Sequence, residues 1–115
     1  MVKYSEQYLD LVFGALSDQT RRAILARLAT GACTVSELAE PFSISLPATS
    51  KHLRILGNAG LITRTREGRI RRCTLEPQAM ESAAAWIAEQ RAAWDVRLDA
   101  LEQYLVDIQT GQEST

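Results

Sequence analysis

The sequence predicts a mainly α-helical domain carrying one small two-stranded antiparallel wing. Three observations predict it. Apolar residues recur at spacings of three and four over most of the 115 residues, the repeat of a helix with one buried face. Two short helical segments are joined by a tight turn at Pro41-Phe42-Ser43-Ile44. From Leu61 the period drops to two, in β-branched, arginine-rich runs that flank Glu67-Gly68-Arg69. Together these describe a winged helix-turn-helix, one domain over residues 1–109, with the helix-turn-helix at 34–60, the wing at 61–75, a long helix at 77–109 and a flexible tail at 110–115.

The first helix is read from Tyr4, Tyr8, Leu11, Val12 and Ala15. Ser17 or Asp18 then caps a second helix, since a short side-chain oxygen accepts from the free N–H groups of a first turn. That helix holds Arg21, Arg22, Ile24, Leu25 and Leu28, and Gly31 ends it. Thr34-Val35-Ser36-Glu37 is a capping box, with Val35, Leu38 and Ala39 facing inward and Pro41 as the stop. Ser45 caps the next helix, Pro47 lies in its first turn where its missing N–H costs nothing, and Gly60 closes it. Gly68 serves the sharp position of the hairpin. In the last helix Trp94, Leu98, Leu101, Leu105 and Ile108 step by 4, 3, 4 and 3, a heptad seam for packing along another helix, which Trp86 and Ile87 extend.

A formal net charge of −1 hides a strong asymmetry. Residues 51–75 carry seven basic side chains against Glu67 alone, and residues 76–115 carry eight acids against Arg91 and Arg97. A compact block at +6 is an electrostatic footprint for a polyanion. No apolar stretch is long enough to span a bilayer, and the N-terminus has no apolar signal segment, so a cytoplasmic protein is expected. The single histidine, His52, with two distant cysteines gives no catalytic dyad or triad, and no phosphate-binding glycine motif is present, so an enzyme is not expected. A chain of this length builds a modest core, and dimerisation would bury more surface.

On the helix opened by Ser45, Thr49, Leu53 and Leu56 share the core side with His52 beside them, a packing or hydrogen-bonding histidine rather than a ligand. Pro47, Ser50, Lys51 and Arg54 share the other side. Small, polar and basic is the character a helix needs in the major groove of double-stranded DNA. The candidate DNA contacts are therefore Ser45, Pro47, Ser50, Lys51 and Arg54, with Arg66, Arg69 and Arg71 of the wing on the flanking backbone.

Residues 16–25 (Leu-Ser-Asp-Gln-Thr-Arg-Arg-Ala-Ile-Leu), Thr34 to Ala39, Ser45 to Leu56, Ala59-Gly60-Leu61-Ile62 and Glu67-Gly68-Arg69 resemble the ArsR/SmtB winged-helix repressors, over roughly residues 8 to 108. The resemblance implies a homodimer built by the first and last helices, with Tyr8, Leu11, Trp94, Leu98, Leu101, Leu105 and Ile108 at its interface. It also implies an inverted-repeat operator and repression relieved by an effector, whose identity the residues do not give. The chain departs from the metal sensors. Cys33 stands without a second cysteine nearby, and the last helix has no histidine, so the resemblance is to the branch without metal-binding motifs. No metal and no cofactor are expected. Two other readings stay open: a winged-helix protein-interaction module, and a repressor switched by oxidants or reactive sulfur at Cys33 and Cys73.

Overall fold

The computed structural model describes residues 6–111, and Tyr4 and the tail beyond Gly111 lie outside them. The elements in order are α1 (Glu6–Leu16), α2 (Gln19–Leu28), β1 (Cys33–Thr34), α3 (Val35–Ala39), a 3-10 turn (Glu40–Phe42), α4 (Leu46–Asn58), β2 (Ile62–Glu67), β3 (Ile70–Leu75) and α5 (Pro77–Thr110). This is the mainly helical fold with a wing that the periodicities predict.

The chain divides into two compact units at Ala83. In the first, Val12 of α1, Ile24 of α2, Leu38 of α3, Leu53 and Leu56 of α4, and Leu61 form a closed core, each 1% exposed or less. Truncating such a side chain to alanine costs about 2–5 kcal/mol. The start of α5 joins this core through Ala79 and Ala83. α1 turns Leu9, Val12 and Ala15 inward, whereas Leu11, expected at a dimer interface, is 49% exposed. The second unit is the rest of α5. Trp94, Leu98, Leu101, Leu105 and Ile108 are all exposed there. Exposure alone does not single them out, since Val96 is more exposed still; their heptad spacing does.

Two local expectations change. The sheet has three strands in the order β1-β3-β2, because Cys33 and Thr34 pair antiparallel with Cys73 and Arg72. A two-residue strand has no periodicity to read, and Thr34 also serves as the N-cap of α3. Pro41 does not simply stop α3: the chain continues as the 3-10 turn, and Ser43 reverses it in the left-handed region, at φ 54° and ψ 36°. The cap of α2 is Asp18, whose carboxylate accepts the Arg21 N–H at 3.0 Å.

Candidate nucleic-acid interface

α4 is built so that one side must face out. Ser45 caps it, its hydroxyl accepting the Ala48 N–H at 3.1 Å, and Pro47 occupies the first turn. Thr49, Leu53 and Leu56 are buried. The Thr49 hydroxyl donates to the Ser45 carbonyl at 3.0 Å, so the one polar group on the buried side is satisfied within the helix. Pro47, Lys51 and Arg54 are exposed on the opposite side, and Ser50 is half-buried between the two.

The wing supplies the rest of the site. β2 and β3 pair in register, Ile62 with Leu75, Arg64 with Cys73, and Arg66 with Arg71. Directly opposed residues share a face, and alternate residues along a strand share it too. One face of the wing therefore begins with buried Ile62 and Cys73 and continues outward as Arg64, Arg66 and Arg71. Gly68, at φ 63°, and Arg69 form the two-residue loop at the tip; a positive φ at the first loop position suits glycine. Arg72 falls on the reverse face with Glu67, its Nε 3.8 Å from that carboxylate. The basic block is thus sorted by strand alternation rather than spread evenly.

α4 and the wing enclose a cleft of about 340 Å³. Val35 and Leu53 contribute apolar surface to it, and Ser50, Arg64, Arg66 and Arg71 contribute polar groups. Of the residues proposed from sequence, the cleft brings together Ser50, Arg66 and Arg71. Lys51, Arg54 and Pro47 lie on exposed α4, Arg69 is at the wing tip, and Ser45 is committed to its cap. Arg64 was not among those candidates, although it shares β2 parity with Arg66. A methyl group added at Gly57 would meet the Arg64 Nε at 3.4 Å, so the guanidinium lies over the last turn of α4, where helix carbonyls favour a cation.

Tyr8 is half-buried, with its hydroxyl against Gly60, where an added methyl would meet it at 3.1 Å. Cys33 and Cys73 are register partners, unbridged and fully buried. Burial raises the Cys73 thiol above its ordinary pKa, against the opposing pull of the Arg64 and Arg71 charges. Both thiols are packed in the core, and a buried thiol is a weak nucleophile. Among the described residues, no group of three or more His, Cys, Asp or Glu side chains converges as a metal site would require. Among them, too, no helix is long and apolar enough to cross a membrane.

Comparison with known proteins places this architecture. Residues 18–64 match the family model described as bacterial regulatory protein, arsR family. The chain is 40% identical over 76 residues to the transcriptional repressor SdpR of Bacillus subtilis (strain 168), covering 66% of this chain and 84% of that one. It superposes on the crystal structure of the ArsR family transcriptional regulator RHA00566 with a TM-score of 0.76 and 43% identity, covering 83% of this chain and 97% of the other. An ArsR-like transcriptional regulator from Rhodococcus sp. RHA1 gives a TM-score of 0.72 and 35% identity, over 84% and 92% of the two chains. On fold, family match and relatives alike, the chain belongs to the ArsR family of bacterial regulatory proteins and is a transcriptional regulator.

Proposed function

We propose that the chain is a homodimeric repressor that binds an inverted-repeat operator in double-stranded DNA. The observation that carries this reading is the arginine-lined cleft between α4 and the wing. A helix in the major groove and a ribbon at the adjoining minor groove must straddle the phosphate strand between them. The cleft offers Arg64, Arg66 and Arg71 to that strand, while Lys51 and Arg54 stand on the side of α4 that would face base edges. A protein-interaction module has no need of like charges opposed across a wing.

A twofold operator needs a twofold protein. The α5 seam, exposed in the single chain, and Leu11 of α1 are the apolar surfaces a second copy would cover. In the sequence, the acids of residues 76–115 are separate from the basic block at 51–75.

The testing experiment is selection of bound fragments from a random double-stranded DNA library. The proposal expects an enriched inverted repeat with half-sites about one helical turn apart. Failure to retain DNA at low salt would reject it, and enrichment of an unrepeated site would reject the dimeric form.

A further inference from the structure

Arg21, in the first turn of α2, reaches three groups at once. Its Nε donates to the Ala15 carbonyl at 2.8 Å and one terminal nitrogen donates to the Gly14 carbonyl at 3.2 Å. Both acceptors belong to the last turn of α1, where carbonyls lack partners inside the helix. The other terminal nitrogen lies 3.2 Å from Nδ1 of His52 on α4. The residue's own backbone is held as well, because its N–H is the one capped by Asp18.

A guanidinium only donates, so the His52 ring must present a lone pair at Nδ1 and carry its hydrogen on Nε2. The Asp18 carboxylate, 3.9 Å from the same nitrogen, is too far for a hydrogen bond. His52 sits at the edge between the buried side of α4 and the exposed one, between Lys51 and Arg54 in sequence. Apolar packing of Leu53 and Leu56 holds α4 against the core but resists small rotations about its axis weakly. A directional bond at the helix edge resists them. The Tyr8 hydroxyl against Gly60 gives α1 a second contact just past the C-terminal end of α4.

We infer that Arg21 and His52 are positioning residues for DNA recognition: Arg21, anchored on the end of α1, fixes the rotation at which α4 presents Ser50, Lys51 and Arg54. This rests on the DNA-binding reading above. It also links α1, which carries exposed Leu11, to the recognition helix through three named hydrogen bonds.

The test uses the full chain, with two readouts: affinity for the selected operator, and amide hydrogen exchange of α4 in the DNA-free protein. His52→Leu keeps bulk but removes the acceptor, whereas His52→Asn keeps an acceptor near the place of Nδ1. His52→Leu and Arg21→Ala should each lose about tenfold in affinity, on the order of one hydrogen bond to a charged group, and speed exchange in α4. His52→Asn should stay close to the parent in both readouts. Adding His52→Leu to Arg21→Ala should change neither further, because the two residues act as one unit. Should His52→Leu fail to fold, Arg21→Lys, which keeps the charge and loses the fork, should show the same losses. Like behaviour of the Asn and Leu variants, or effects that multiply independently, would overturn the inference. If the parent binds no DNA, the DNA-binding reading fails, and unaltered α4 exchange in every variant separately overturns the Arg21–His52 link.

Discussion

Arg66 and Arg71 face each other directly across the wing, on the side that lines the cleft with α4. Opposed like charges destabilise a sheet, by up to about 1 kcal/mol. The arrangement makes physical sense when a phosphate strand lies between the guanidinium groups and the solvent. Arg71→Thr should therefore leave thermal stability unchanged or raise it slightly. The same variant should weaken DNA binding and reduce the slope of log affinity against log salt by about 1. Thermal melts and a salt titration read the two effects separately, and a variant that loses both stability and affinity would point to a structural role instead.

The proposed dimer rests on the α5 seam. Leu98→Glu or Leu101→Glu would place an unpaired carboxylate in that interface, at a cost far above what one apolar pair returns. Sedimentation should show the variant as a monomer at concentrations where the parent is a dimer. An unchanged dimer would mean that the seam lies elsewhere.

Two helix caps set an acid limit. The Glu37 carboxylate accepts the Thr34 N–H at 2.8 Å, and this bond holds its pKa below the ordinary value. The Asp18 carboxylate is lowered in the same way, chiefly by the Arg21 N–H. A carboxyl group whose pKa is lower in the folded state adds stability that is complete above its unfolded value, near 4. That contribution is lost as the pH falls through the folded value. Urea midpoints should fall with acidification across this range, and Asp18→Asn, which caps without titrating, should flatten part of the decline.

α4 was legible because its signals are local: a Ser cap, a proline in the first turn, and a 4, 3 spacing at Thr49, Leu53 and Leu56. The α5 heptad was legible for the same reason. What spacing could not supply was pairing between distant segments. β1 exists only because β3 lies beside it, 40 residues along the chain, with Cys33 opposite Cys73. Which wing arginines share the α4 side follows from register, which makes Arg64 part of the cleft and turns Arg72 toward Glu67. The Arg21–His52 contact spans 31 residues and leaves no local trace.

We propose that the exposed side of α4 reads DNA. The direct measurement is a fluorescence-anisotropy titration of the selected operator with the parent and the Lys51→Ala/Arg54→Ala variant, at one salt concentration and equal dimer fraction. Both substitutions are at exposed positions, so melting temperatures should match. A side chain contacting a base is worth about 1–3 kcal/mol, so the double variant should bind at least about tenfold more weakly. Binding within twofold of the parent would contradict a base-reading role for Lys51 and Arg54.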